Sequence, residues 1–193
     1  MARNYRQSKR GETADETRRR IVQACFDLHG EQGLVATSMK QIAERAGVSV
    51  GSVYHHFPTY DDAIRACGAH AFTLAPPPSP ALFEGVADRA ERVRRLALAV
   101  YRLYGRLTAW GYVQAEQDQL PVLKPFVDDE RATRGLLSRA ALGEEGERAA
   151  TLAALLDHGT CQALRAQGFS VDAAAARIAE VANAWLDAAP ARA

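Results

Sequence analysis

Residues 49–55 read Ser49, Val50, Gly51, Ser52, Val53, Tyr54, His55. Two hydroxyls, a phenol, an imidazole and a glycine fall within two helical turns, and no acidic group stands among them. Such groups hydrogen-bond to phosphate and base-edge oxygens, which is recognition chemistry and not bond-breaking chemistry. Thr37, Ser38 and Lys40 lie just upstream and add two hydroxyls and a cation. A glycine inside a helix costs ~1 kcal/mol against alanine. Gly51 therefore either lets a phosphate backbone approach closely or makes room for a neighbouring helix.

Other reactive side chains assemble less. His158 and Cys161 are three residues apart and would touch on a helix, but no third orienting group or oxyanion loop accompanies them. No catalytic residue is assigned, and an enzyme is not expected. Cys25, Cys67 and Cys161 are odd in number and far apart, which predicts neither a disulfide framework nor a zinc site. His55 and His56 are adjacent and point in different directions on a helix, so no metal is expected there either. No cofactor is implied.

The elements that must position the recognition residues are legible locally. Ser38 with Gln41 fits a capping box, which starts a helix, and Met39, Ile42, Ala43 and Ala46 form its apolar stripe. Gly47 supplies a left-handed stop, and Ser49 caps a second short helix. Two short helices joined by such a turn are a helix-turn-helix, whose second helix enters the DNA major groove. A first helix over about 13–31 presents Ile21, Ala24, Cys25 and Leu28. Ile42, Ala43, Val48, Val53 and Phe57 are expected to pack on it, with Cys25 as core. Arg18, Arg19 and Arg20 near its start either lean on DNA or form a solvated face. Residues 1–12 read as a flexible basic arm (Arg3, Arg6, Lys9, Arg10), either a DNA contact or a solvated tail.

Thr37-Ser38, Ile42-Ala43, Ala46-Gly47-Val48-Ser49, Gly51, Tyr54 and His56-Phe57-Pro58 resemble the signature of the TetR-type transcriptional repressors. The resemblance is specific over about residues 15–70. It implies that His55 faces DNA and His56 lies nearer the core. The chain departs from the pattern at Tyr60, where that family commonly has a phosphate-binding lysine. Tyrosine can still hydrogen-bond a phosphate but brings no charge, so affinity should be lower and the salt slope shallower by ~1.

The composition permits this reading. The chain has 193 residues, 48% of them hydrophobic, which is ample for a core. Net charge is +1, but residues 1–57 hold nine Lys or Arg against six Asp or Glu, so the excess lies with the motif. Long β-branched runs and hairpin dipeptides are lacking, and an all-α fold of about nine helices is expected. No signal peptide and no span of ~20 apolar residues is evident, so a cytoplasmic protein without membrane contact is expected.

Two domains are predicted. Residues 1–58 form a three-helix DNA-binding domain. Residues 59–193 form a helical domain for effector binding and dimerisation, with a linking helix at 59–74 capped by Thr59. A proline step at 75–80 is either a stiff coupling or a plain spacer. Helices are expected over 88–106, 108–119, 121–142, 147–167 and 171–185. The resemblance implies a small-molecule effector in this domain, for which Tyr101, Tyr104, Trp110, Tyr112, Phe126, His158 and Cys161 are the available lining.

Small apolar faces on the last two helices are expected to meet a symmetry mate in a four-helix bundle. They comprise Leu152, Leu155, Leu156, Gly159, Ala163, Ala174, Ala175, Ile178, Val181, Ala182 and Trp185. The alternative is that both faces are used inside one chain. The resemblance also implies a homodimer.

The expected function is a dimeric, effector-released repressor on a palindromic operator. Ser49, Val50, Gly51 and Ser52 would lie near base edges. Thr37, Ser38, Tyr54, His55 and, more weakly, Tyr60 would contact phosphates, with Lys40 beside them. Alternatives are a redox-responsive repressor using Cys161, a sequence-indifferent DNA-binding protein, and an enzyme.

Overall fold

Ser38 and Gln41 form the reciprocal cap that their spacing predicts. The Ser38 Oγ accepts from the Gln41 backbone N–H at 3.3 Å, and the Gln41 side chain accepts from the Ser38 N–H at 2.9 Å. A computed structural model describes residues 2–188, with side chains from residue 14 onward. Among these residues it contains ten α-helices, two 3-10 turns and no strand. The helices are α1 (Ala2–Gln32), α2 (Met39–Ala46), α3 (Val50–His56), α4 (Tyr60–Leu74) and α5 (Arg89–Arg106). They continue as α6 (Trp110–Glu116), α7 (Lys124–Leu142), α8 (Glu147–Leu155), α9 (His158–Ala166) and α10 (Val171–Ala188). The all-α class is as expected.

The chain forms two compact units. The first joins Met1–Leu74 to Thr108–Pro125, and the second joins Ala75–Leu107 to Phe126–Ala193. The segment 108–125 thus belongs with the N-terminal helices, although in sequence it sits between α5 and α7.

In the first unit, Ile21, Cys25 and Leu28 of α1 share one core with Ile42, Ala43, Val53 and Phe57, and Val48 packs partly against it. Gly47 closes α2 at φ +65°, and its N–H returns to carbonyls of that helix. Ser49 caps α3 through the Ser52 N–H at 3.1 Å. Thr59 and Asp62 cap α4 reciprocally, each backbone N–H meeting the other side chain at 3.1 Å. Arg45 ties α2 to α1 through a bidentate pair with Glu31 at 2.7 and 2.8 Å, which holds the Glu31 carboxyl below its usual range. Helix α1 begins at Ala2, not near Thr13. Residues 2–12 contain no proline to stop it, and Gly11 is the poorest helix former among them. The Arg3, Arg6, Lys9 and Arg10 side chains lie outside the described residues.

In the second unit, α10 lies along α5. The approach is close at Gly105, where an added Cβ would come within 3.1 Å of Val171 Cγ2. Arg102 and Asp172 join the two helices at 2.6 and 2.8 Å. The single helix expected over 147–167 is two, because Asp157 takes an extended backbone and caps α9 through the Gly159 N–H at 2.7 Å. Ser170 caps α10 through Ala173 at 3.1 Å.

This packing corrects part of the expected dimer face. Leu152, Leu156, Ala174, Ala175, Ile178 and Ala182 are buried within the single chain. They complete the unit's own core and are withdrawn from contact with a second copy. Val181, Gly159 and Ala163 are exposed, and Leu155 and Trp185 are half-buried.

Candidate nucleic-acid interface

Helix α3 is held from beneath by one side chain and is open above. Val53 is fully buried, whereas Val50 and Tyr54 are 39% and 50% exposed, and Ser49, Gly51 and His55 are exposed with them. Ser52 is half-buried and its N–H is taken by the cap. A Cβ built on Gly51 meets only Ser49 Oγ, at 3.9 Å. No neighbouring helix needs the space, which removes the packing explanation for that glycine. His56 is half-buried beside His55, and burial, then the neighbouring His55 and Arg18, lower its pKa. The outer face of α3 therefore presents hydroxyls, an imidazole and a phenol around a glycine, with no acidic group between.

The flanking predicted contacts divide. Ser38 is exposed but serves its cap, and Lys40 is exposed, 3.8 Å from Glu44. Thr37 is buried, and its hydroxyl donates to the Gly33 carbonyl at 2.6 Å, so it has no proton to offer a phosphate. Arg18 stacks on the Phe57 ring at 5.0 Å and does not stand free. Tyr60 is corrected in the same way. Its hydroxyl donates to the Leu34 carbonyl at 2.6 Å, and His29 Nε2 lies 2.9 Å from the same oxygen. Burial first, and then the nearby Cys25, raise its pKa above the usual tyrosine range. Tyr60 thus locks α4 to the end of α1 and does not reach outward.

We expect Tyr60→Phe to lower the stability of the first unit by about 1–2 kcal/mol, because a carbonyl and an imidazole N–H lose their partner. Urea denaturation followed by circular dichroism measures it. A change below the error of that measurement would show the hydroxyl to be dispensable.

Three groups of this unit carry little local signal. Glu116 of α6 accepts from the Leu34 and Val35 backbone N–H groups at 2.8 and 2.9 Å, at the loop that leads into α2. Tyr112 packs beside it against Gly33, whose φ is +87° and whose added Cβ would lie 2.7 Å from the ring. The third is a buried cluster of Cys25, His29 and Cys67, whose ligand atoms lie within 4.8 Å of one another. The two thiols act on each other, and Cys67 is the one drawn down. Its hydrogen bond with Cys25 lowers it, aided by His29, while the same bond and burial push Cys25 far up. The spacing of Cys25 and His29, four residues apart on one helix, was the available signal. Cys67 follows 38 residues after His29 and gives no local cue.

The predicted effector lining is also divided. Tyr101, Tyr104, His158 and Cys161 are buried in the second unit, Tyr104 edge-on to His158 at 5.1 Å and tilted against Tyr101 at 6.4 Å. The Tyr101 hydroxyl donates to the Leu155 carbonyl at 3.2 Å, and that of Tyr104 donates to Glu130. Burial lowers the His158 pKa and raises that of Cys161. Phe126 is half-buried in the same unit. Trp110 and Tyr112 belong to the first unit instead.

Residues 21–67 match the family model described as bacterial regulatory proteins, tetR family. An HTH-type transcriptional repressor of Mycobacterium tuberculosis is 38% identical over 89 residues, 44% of this chain and 47% of that protein. The chain thus spans about half the length of the curated relatives it matches. Among solved structures, the multidrug binding protein EbrR complexed with imidazole is 26% identical, covers 91% of each chain and has a TM-score of 0.62. A transcriptional regulator of Rhodococcus sp. is 22% identical over 91% of this chain and 99% of its own, with a TM-score of 0.68, and shows the same fold. Among the described residues no helix is long and apolar enough to cross a membrane.

Proposed function

The chain belongs to the TetR family of bacterial regulatory proteins, and from that premise we propose that it is a dimeric repressor that binds a palindromic operator in the cytoplasm and is released by a small molecule. One observation carries the reading. The outer face of α3 combines Ser49, Val50, Gly51, Tyr54 and His55 in the open, above the single buried anchor Val53. That face suits a major groove, with Ser49, Val50, Gly51 and Ser52 at base edges and Ser38, Lys40, Tyr54 and His55 toward phosphates.

Residues 1–58 would serve for reading and 59–193 for effector binding and dimerisation, with α4 and 108–125 packed in the first compact unit. Release is routed through 108–125. This segment is covalently continuous with α5 and α7 of the second unit, yet it packs in the first, where Glu116 holds the loop before α2. A displacement of α5 or α7 would reach that loop through this segment. EbrR complexed with imidazole or with proflavin supports an aromatic or cationic effector by analogy. In this chain Tyr101, Tyr104, Phe126, His158 and Cys161 are the lining. Ser138 adds a buried Oγ without a hydrogen-bond partner, which a polar effector atom would satisfy. A second copy would meet Gly159, Ala163, Val181 and Trp185.

Footprinting over the DNA flanking its own gene, at low salt, tests the reading. A protected near-palindromic site is expected, and random DNA should compete poorly. Absence of protection, or equal competition by random DNA, would sink it. Tyr54→Ala should weaken binding to all sequences alike, roughly threefold to tenfold, because phosphate contacts carry no sequence information. Weakening confined to the operator would move Tyr54 to a base edge.

A further inference from the structure

We propose that Cys25, His29 and Cys67 form a buried site for one thiophilic d10 metal ion, Cu(I) or Zn(II), inside the DNA-reading unit. The three ligands come from α1 and α4 and are 0%, 2% and 6% exposed. His29 Nδ1 lies 3.9 Å from Cys25 Sγ and 3.6 Å from Cys67 Sγ. Metal bonds of ~2.3 Å to sulfur and ~2.0–2.1 Å to nitrogen set donor atoms on the order of 3.5–4.0 Å apart. Both separations fall in that range, and the ligand atoms of all three residues lie within 4.8 Å of one another, so the cluster can close on one ion through small rotations of the Cys25 and His29 side chains.

The tautomer of the imidazole is already set. The Tyr60 hydroxyl proton is committed to the Leu34 carbonyl, which can only accept, so the Tyr60 oxygen must accept from His29 Nε2–H at 2.9 Å. Nδ1 then carries the lone pair and lies 3.6 Å from Cys67 Sγ, while Cys25 Sγ lies nearer Nε2, at 3.4 Å, than Nδ1, at 3.9 Å. A histidine whose second nitrogen donates to an oriented neighbour is the usual support of a metal ligand.

Two soft sulfurs and one imidazole select Cu(I) and Zn(II) over harder ions. They differ in what they ask of the site. Three donors suffice for Cu(I), whereas structural Zn(II) takes four. The next oxygen from Cys25 Sγ is the Ala63 carbonyl, 3.9 Å away. Two thiolates neutralise Zn(II) but leave Cu(I) with one negative charge in a buried place. Ligand number therefore favours Cu(I) and charge favours Zn(II). Either ion displaces the thiol protons, so affinity falls as pH falls. The ion would pin α1 to α4 and give the reading unit an input separate from the effector. That last step rests on the regulatory reading above, whereas ion binding does not.

The test is a titration of the reduced full-length chain under anaerobic conditions, with Cu(I) in one arm and Zn(II) in the other, each against a competing chelator. One equivalent per chain is expected in at least one arm, with X-ray absorption showing two sulfur ligands and one nitrogen. Cys25→Ala and Cys67→Ala should each lower the affinity by about 100-fold, a loss at the upper end of that seen for supporting residues. Cys161→Ala should leave it unchanged. Circular dichroism checks that the variants are folded. On the wild type, bound metal should protect Cys25 and Cys67 from alkylation, a reading that needs no variant. No stoichiometric binding in either arm overturns the proposal, as does binding that Cys161→Ala removes and Cys67→Ala retains.

Discussion

Arg134→Ala is expected to destabilise the second helical unit by about 3–5 kcal/mol, the usual cost of removing one partner from a buried ion pair. Arg134 is 8% exposed. Its Nε donates to Glu130 Oε1 at 2.9 Å, Nη2 reaches Asp157 Oδ2 at 3.5 Å, and Nη1 donates to the Ala153 carbonyl. Burial, the largest single influence, would lower its pKa, but the bond and charge of Glu130 together with Tyr104 and Asp157 outweigh it and raise the pKa overall. Without Arg134, Glu130 keeps only the Tyr104 hydroxyl beside a largely buried carboxylate, and a carbonyl of α8 loses its donor. Chemical denaturation of the purified variant measures the effect. Arg134→Lys should recover only part of it, because one ammonium cannot span three acceptors set for a planar fork. Arg134→Met with Glu130→Leu should recover more, since the pair is costly to desolvate and its apolar replacement leaves no charge behind. A loss under ~1 kcal/mol for Arg134→Ala would mean that water reaches Glu130 and screens it.

The same cluster shows what the sequence could and could not disclose. Caps are local, and Ser38 with Gln41, Gly47, Ser49, Thr59 and Ser170 were all legible because each makes its bond within five residues. The break between α8 and α9 was also local, in Asp157 before His158 and Gly159, but an unbroken run of alanine and leucine concealed it. Long-range partners were not legible. Tyr60 reaches back 26 residues to Leu34, and Glu116 reaches back 82, and no periodicity encodes either. Tyr60 was read outward because a lysine is commonly found at its place, whereas an aromatic hydroxyl at the edge of a core seeks an inner acceptor. The apolar faces of the last helices were visible, but a stripe says that a face is covered and not by what. Ala174, Ala175, Ile178 and Ala182 are covered within one chain.

Gly51→Ala separates recognition from folding by sign. The backbone at Gly51 is not left-handed, and the added Cβ meets only Ser49 Oγ at 3.9 Å. Alanine should therefore stabilise α3 by roughly 0.5–1 kcal/mol, the helix-propensity difference. A methyl on the face offered to DNA should instead obstruct close approach. If it costs ~1.4 kcal/mol at one half-site, the proposed symmetric dimer would incur it twice, and affinity for the proposed operator would fall about 100-fold. Gly47→Ala is the contrasting case. Its φ of +65° is strained for alanine by about 1–2 kcal/mol, so stability should fall, and affinity should fall only as far as the head unfolds. Thermal unfolding and fluorescence anisotropy on the footprinted site measure both quantities for each variant. A Gly51→Ala protein that is as stable as wild type and binds within threefold of it would place the DNA elsewhere than on the open face of α3.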